Sequence, residues 1–393
     1  MIVCGFVPFW EIKMKYRLTI LFVFSFLLFS CKIKHESASA VAGDRIVIKY
    51  AKGFTIEDFG AYKKLIVRDA LDSSHIIAKY YLVQEGDAVP VTESVNKENI
   101  ITVPVKSIAC LSTTHLGFLE KLNLRDNIVA AAGTQYVYDA RLNKLIEEGK
   151  IKEMGYESAL NYEMLAQIHP DIIMTYVFGA DGEESMQKLD ALKLQPVINN
   201  EYLEITPLGQ AEWIKFVAAF FDLSEKADSI FEEIEKEYIE TKDLALKASS
   251  RPKVLTSLPF RGEWTVSGGK SFAANYIADA GADYLWNDNK STGNFPVSME
   301  QILLKGMDAD CWINIGPVNS KEEIKNADEK LVKIKAYQNG SLFNNDNRMS
   351  EKGGNDYWES GVVNPQYVLQ DLVKIFHPEV MDGKEFYYYK KIE

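Results

Sequence analysis

Between Leu208 and Ala248 the chain has no strand-like run. Its second part, "EKADSIFEEIEKEYIETKDLALKA" (Glu225–Ala248), repeats isoleucine and phenylalanine at helical spacing among charged residues. Ser224 stands where a helix cap is needed, and Glu225 suits the positive end of the helix dipole. At 1.5 Å per residue the helix is roughly 36 Å long, enough to cross a domain. On both sides of it the chain alternates short β-branched runs with helical ones. Before it come "VKSIACL", "STTHLGFLEKLNL", "IVAAAG", "LNKLIEEG", "NYEMLAQI", "DIIMTYV", "EESMQKLDAL" and "QPVIN". After it come "KVLTSLPF", "SFAANYIADAG", "MEQILLKG", "ADCWINI", "KEEIKNADEKLVKI" and "VLQDLVKIFHP". Strands alternating with helices imply a parallel sheet covered on both faces. The expected fold is therefore α/β: two Rossmann-like lobes joined by one long helix.

The remaining chain divides around this plan. From Met14, "MKYRLTILFVFSFLLFSCKIK" has a basic start, an apolar stretch too short for a comfortable membrane span, and a small residue before Cys31. Met14 therefore fits the initiator better than Met1. Residues 1–31 are expected to be a signal peptide with a lipobox, and 32–44 a flexible tether. The N-terminal lobe is expected over 45–207, the linker helices over 208–250 and the C-terminal lobe over 251–393. The N-terminal lobe opens with a small β meander, with strands expected over Arg45–Tyr50, Lys63–Val67 and Ile76–Val83.

Composition excludes several functions. The net charge of −12 argues against a nucleic-acid partner. The four cysteines form no C-x-x-C pair, and Cys110 and Cys311 sit in apolar runs that read as buried strands. The five histidines are scattered, so no bare metal ion is expected. "SGGKS" lacks the first glycine of a phosphate loop, because Trp264 stands in its place. H-E-x-x-H, G-x-S-x-G and G-x-G-x-x-G are all missing. No catalytic residue is expected from these motifs, and a metal-cluster enzyme or an adhesin stays only as a weaker alternative to what the repeated pattern below implies.

A repeated pattern narrows the choice. "NYEMLAQIHPDIIMTY" (Asn161–Tyr176) and "VSMEQILLKGMDADCWIN" (Val297–Asn314) each place a glutamate at the start of a short helix, then a turn, then a buried strand. Together with "VKSIACLSTTHLGFLEKLNLRDNIVAAAG", "WTVSGGKSFAANYIADAGADYLW" and "NPQYVLQDLVKIFHPE", in this order, the chain resembles the substrate-binding proteins of bacterial ABC importers for ferric siderophores, haem and cobalamin. The resemblance covers about Val103–Pro378. It implies a monomeric periplasmic lipoprotein anchored through a diacylglyceryl Cys31. Glu163 and Glu300 would then dock the two lobes onto the permease dimer and its ATPase. The protein would need no cofactor of its own, and its ligand would be an iron chelate of the ferric-siderophore type, with cobalamin or haem as the alternative.

The ligand cleft is expected between the lobes, at loops that follow strand C-termini. Those loops are rich in aromatic and polar residues. On the N-lobe side they hold Ser112, Thr113, Thr114, His115, Gln135, Tyr136, Tyr138, Tyr156, Tyr176 and Phe178. On the C-lobe side they hold Phe260, Arg261, Glu263, Trp264, Trp286, Asn294, Phe295, Tyr357 and Trp358. Flat apolar chelates suit flat aromatic walls. Tyr136, Tyr176, Phe260 and Phe295 resemble aromatic ligand contacts of cobalamin-binding members. Arg261 and Arg348 are the arginines expected near the cleft, where they would meet a modestly anionic ligand. His115, together with a tyrosine, would be the ligand set for haem iron.

Overall fold

The structure, a computed structural model, describes residues 43–87, 99–155, 159–177, 179–259 and 263–393. The signal sequence, Cys31 and the tether up to residue 42 lie outside the described residues, as do Tyr156, Phe178, Phe260 and Arg261.

The meander forms a five-stranded sheet in chain order: β1 (Asp44–Arg45), β2 (Phe54–Asp58), β3 (Tyr62–Arg68), β4 (Ile76–Gln84) and β5 (Ile100–Val103). The strand expected over Arg45–Tyr50 is cut short after Arg45, and the missed strand is β2. The reason is where the backbone donors go. Glu212 accepts the N–H groups of Lys49, Tyr50 and Ala51 at 2.7–3.0 Å. Glu204 accepts those of Lys52 and Gly53 at 2.8 Å, and the indole N–H of Trp213 at 3.1 Å. Five successive donors are thus held by two buried carboxylates instead of a neighbouring strand. Above this clamp, Phe54 packs on Trp213 and Phe216, with ring centroids 4.9 and 5.6 Å apart. Replacing Glu212 by alanine orphans three donors, and the expected loss is about 3 kcal/mol of unfolding free energy. A urea titration showing less than about 1 kcal/mol would refute this account of the clamp.

The N-terminal lobe is a parallel sheet of β6 (Ile108–Cys110), β7 (Ile128–Ala131), β8 (Lys152–Glu153), β9 (Ile172–Thr175) and β10 (Pro196–Ile198), in the order β10-β9-β6-β7-β8. Its helices are α1 (Thr113–Lys121), α2 (Ala140–Glu147), α3 (Tyr162–Ile168) and α4 (Gly179–Ala191). The strand order reverses at β6, so the crevice above the end of β6 is the natural ligand position. The buried Tyr80 hydroxyl accepts the Ile198 N–H at 2.9 Å and fastens the meander to the edge strand β10.

Helices α5 (Pro207–Ala211) and α6 (Trp213–Ala219) lead into α7 (Ser224–Ala245), the linker. At 22 residues it is about 33 Å long. Ser224 begins the helix and does not cap it: Leu223 is the cap, with no side-chain hydrogen bond there. The buried stripe Ala227, Phe231, Ile234, Tyr238, Thr241 and Ala245 has the three- and four-residue spacing of an amphipathic helix. Lys226 reaches the Leu122 carbonyl of the N-lobe at 2.7 Å, while Tyr238 and Lys242 hold Asp279 of the C-lobe at 2.8 and 2.7 Å. Both ends of the linker are therefore pinned.

The C-terminal lobe has the strand order β13-β11-β15-β16-β17, with β11 (Lys253–Thr256), β13 (Asp283–Tyr284), β15 (Cys311–Ile313) and β16 (Leu342–Asn344) parallel and β17 (Lys390–Lys391) antiparallel. A separate ribbon pairs β12 (Trp264–Ser267) with β14 (Asn294–Val297). The helices are α8 (Phe272–Asp279), α9 (Met299–Gly306), α10 (Lys321–Ala327), α11 (Lys335–Asn339), α12 (Asp356–Glu359) and α13 (Pro365–Phe376). The single helix expected over Lys321–Ile334 breaks at Asp328, which is extended (φ −165°) and accepts the Lys330 N–H at 2.8 Å. Cys110 and Cys311 are buried and free, as strand residues. The fold is thus two α/β lobes joined by a long helix.

Candidate functional site

The four N-lobe loops at the carboxyl ends of β6, β7, β9 and β10 converge because these strands are parallel. They supply Ser112–His115, Ala132–Tyr136, Tyr176–Val177 and Asn199–Tyr202. Ser112 is the N-cap of α1, and its side chain accepts the Thr114 N–H, which fixes the first of these loops. Across from them lies the loop after β16. It folds over the N-lobe so that Gly353, Asn355 and Trp358 share a cavity of about 380 Å³ with Ser112, Thr113, Gly133, Tyr136 and Tyr176. Trp358 is 62% exposed and Tyr136 49% exposed, so these rings are available to a ligand. Trp358 is held edge-on against Tyr357 at 4.8 Å.

The contact between the lobes beside this cavity is tight. Glu359, at the end of α12, accepts the backbone N–H groups of Tyr138 and Asp139 in the N-lobe at 2.6 and 3.0 Å. Gly117 of α1 faces the Glu359 carbonyl so closely that an added Cβ would lie 2.1 Å from that oxygen. Lys121 reaches Asn364 at 2.7 Å, and the Ser350 hydroxyl donates to the Val137 carbonyl. Burial pushes the Glu359 carboxyl up to about 7, with the negative neighbours Asp356 and Asp139 adding to the shift and the two backbone donors opposing it.

Several expected site residues fall elsewhere. Trp264 is 2% exposed; it stacks on Trp312 at 5.8 Å and donates to the Thr256 carbonyl, so its ring is C-lobe core and not a cleft wall. Trp286 is likewise buried against Tyr284. Phe295 lies on β14, opposite Val266 in the ribbon and partly buried against the core. Arg348 is taken up by structure: its guanidinium pairs with Asp356 at 2.5 Å and lies over Tyr387 at 4.3 Å and Tyr138 at 5.1 Å. It brackets the lobes, with its charge already paired. Among the described residues no three His, Cys, Asp or Glu side chains converge as a metal site.

His115 is fully buried beside Glu201, another buried residue, at 3.8 Å between Nε2 and Oε2. Sequence reasoning missed Glu201 and Tyr202. The signal was present in "NNEYLE", the loop after β10, which obeys the same strand-end rule as the loops after β6, β7 and β9.

Glu163 and Glu300 are both exposed, in the first turns of α3 and α9. Their helices start alike: Asn161 accepts the Met164 N–H, and Ser298 accepts the Gln301 N–H in a reciprocal capping box. Its own backbone N–H and the Ser298 hydroxyl hold the Glu300 carboxyl below the ordinary range. One turn beyond Glu300, Leu304 is 85% exposed.

The chain belongs to the periplasmic binding protein family: the family's model matches residues 108–349. An uncharacterised lipoprotein of Methanocaldococcus jannaschii is 28% identical over 328 residues, covering 80% of this chain and 76% of that protein. Two solved structures share the fold. One is a possible iron-binding periplasmic solute-binding protein from Staphylococcus epidermidis (TM-score 0.56, 18% identity, 70% of this chain and 99% of that one). The other is Ceue of Helicobacter pylori with Ni(II) bound (TM-score 0.56, 20% identity, 76% and 92%).

Proposed function

We propose that this protein is the substrate-binding lipoprotein of an ABC importer and that it captures an iron chelate of the ferric-siderophore type between its lobes. The observation that carries this reading is the cleft wall of Tyr136, Tyr176 and Trp358, which brings rings from both lobes around one cavity at the strand-order switch. The mirrored, capped and exposed Glu163 and Glu300 support docking of one lobe each onto a permease subunit. The lobes span 45–207 and 251–393 in this reading, with 208–250 between them. The lipid on Cys31 would hold the protein to a membrane, facing the periplasm, and ATP hydrolysis in the partner would drive release.

Binding is close to lock-and-key. The pinned linker and the Glu359 contact leave little freedom for wide hinge closure. A corrinoid is the second reading. It is favoured by the engagement of Arg348 with Asp356, which leaves the described cleft wall aromatic and weakly charged. Haem ligation by His115 has less support, because that ring is fully buried.

The test is a visible absorption titration with ferric siderophores, cobalamin and haem, followed by desalting. A retained ferric charge-transfer band supports the iron reading, a corrin spectrum the second one, and a Soret band would bring His115 back. Retention of none would overturn the chelate reading. Trp358→Ala is expected to weaken binding of the retained chelate about tenfold or more, the cost of losing one large apolar contact. Because the ring is exposed, the melting temperature should stay within about 2 °C of the wild type. An unchanged affinity would remove Trp358 from the site.

A further inference from the structure

The β meander is the part of the chain that the cleft does not use, and it lies before residue 108, where the match to the family's model begins. It holds a cavity of about 550 Å³, lined by Arg45, Val47, Lys52, Phe54, Arg68 and Ser73 among others. The arginines mark this cavity out. Among the described residues Arg125, Arg141, Arg251 and Arg348 each pair with a carboxylate. Arg45 and Arg68 make no such pair, and both line this cavity. Arg68 gives one N–H to the Ser73 carbonyl at 3.0 Å, a neutral acceptor that leaves its charge uncompensated. The Lys52 ammonium has no carboxylate partner either, since Glu204 takes only the backbone N–H of that residue. No described aspartate or glutamate lines the cavity. The carboxylates of the adjoining β3–β4 loop are turned onto their own loop: Asp69 accepts the Leu71 N–H at 2.8 Å, and Asp72 accepts the Ser74 N–H and hydroxyl at 3.1 and 2.6 Å.

Apolar side chains flank these cations. Val47 is 69% exposed, and Leu71, in the loop between Arg68 and Ser73, is 58% exposed. Ile76, the register partner of Arg68, is exposed as well. Unpaired cations beside open aliphatic side chains suit a membrane surface, where anionic headgroups meet the cations and the aliphatic groups enter the acyl boundary. A small soluble anion would satisfy the cations and leave Val47 and Leu71 in water. The net charge of −12 repels an anionic surface at long range. At physiological salt that field is screened beyond about 8 Å, so the patch governs the contact once the protein is held near. A lipid on Cys31 does this holding: eleven residues separate Cys31 from Gly43, and they span at most about 40 Å.

We propose that the meander is a membrane-facing foot, in which Arg45, Lys52 and Arg68 bind the phosphates of anionic lipids while Val47 and Leu71 insert beside them. The nearness of the membrane rests on the lipoprotein reading above; the affinity for lipid phosphates does not, and it is tested without the anchor.

Residues 43–393 form one compact unit, so the experiment uses the protein from Lys32 onward, free of any acyl chain. It is sedimented with vesicles of phosphatidylcholine alone or of phosphatidylcholine mixed with phosphatidylglycerol. The expected result is binding to the mixed vesicles only, and its loss at about 0.5 M sodium chloride. Neutralising each cation should weaken binding about fivefold, so Arg45→Gln, Lys52→Gln and Arg68→Gln combined should weaken it on the order of a hundredfold. Val47→Ser with Leu71→Ser should weaken it about tenfold. Lys144→Gln, Lys150→Gln and Lys152→Gln combined remove the same charge from exposed places elsewhere in the N-lobe, and should change binding by less than about twofold. A melting curve checks that each variant folds; the salt and lipid dependence of the wild type needs no variant. No binding to the mixed vesicles, or equal losses in the two triple variants, overturns the proposal. So does saturable binding of inorganic phosphate without vesicle binding, which would make the cavity a site for a small phosphate ligand. Vesicle binding by the foot, with a mature protein whose Cys31 carries no acyl group by mass spectrometry, would refute the anchor and leave the foot standing; an acylated Cys31 without vesicle binding would do the reverse.

Discussion

Reversing the charge of both Glu163 and Glu300 to lysine is expected to stop uptake, by a hundredfold or more, while the affinity for the chelate stays as in the wild type. The argument starts from local structure. Each glutamate is exposed in the first turn of a short helix whose cap is made by another residue, Asn161 or Ser298. Neither carboxylate holds the fold, so a lysine at either place costs only about 0.3–1 kcal/mol through the helix dipole. At an interface the cost is larger. Breaking a buried charge pair costs about 2–5 kcal/mol, and reversal adds repulsion on both lobes. The single variants should each retain partial uptake, because one lobe can still be oriented. Transport in cells or proteoliposomes, read beside chelate affinity in solution, separates docking from binding. Full uptake by the double variant would eliminate these residues as the docking pair, and a loss of chelate affinity would show that they act on the cleft.

The second large effect is expected where the lobes touch. Glu359→Ala leaves the Tyr138 and Asp139 donors without their acceptor, and Gly117→Ala places a methyl group against the Glu359 carbonyl. Both should loosen the same contact. The expected result is a loss of about 2–4 kcal/mol of stability for each and a faster chelate dissociation rate. Their effects should be less than additive, since they break one interface. Independent, fully additive losses would mean that the two sites do not form one contact.

Glu359 also gives a pH test with a definite sign. Its folded pKa, raised to about 7, lies above the ordinary carboxylate value. The folded state therefore binds the proton more tightly than the unfolded chain. The stability this contributes is fully present below the unfolded value, about 4.3, and is lost as pH rises through about 7. Glu201, raised for the same reason, adds to the trend. Glu359→Gln is always neutral. Its melting temperature should fall furthest below the wild type near pH 5 and approach it near pH 8. A gap independent of pH would show that Glu359 does not titrate in this range.

The helix spacing of Phe231, Ile234 and Tyr238, the glutamate-turn-strand pattern around Glu163 and Glu300, and the β-branched runs of both lobes were legible in the sequence. They depend on neighbours three or four residues away, or on alternation within a short strand. The parallel order of these strands then places Ser112, Tyr136 and Tyr176 at one edge, so that half of the cleft could also be anticipated.

What only the tertiary structure decided depends on partners distant in the chain. Trp264 has as much aromatic surface as Trp358, yet one stacks inside the C-lobe on Trp312 and the other stands open to the cleft. Arg348 would attract an anion until Asp356, Tyr138 and Tyr387 surround it. The strand expected at Arg45–Tyr50 gives way at its end because Glu212, more than 150 residues away, takes the Lys49 and Tyr50 donors. The sequence by itself determined the two lobes, the linker and the paired glutamates, because periodicity and capping are local. The tertiary structure alone assigned Trp264 to the core, Glu359 to the contact between lobes and Glu201 to its buried place beside His115, because burial and hydrogen-bond pairing exist only once distant segments meet.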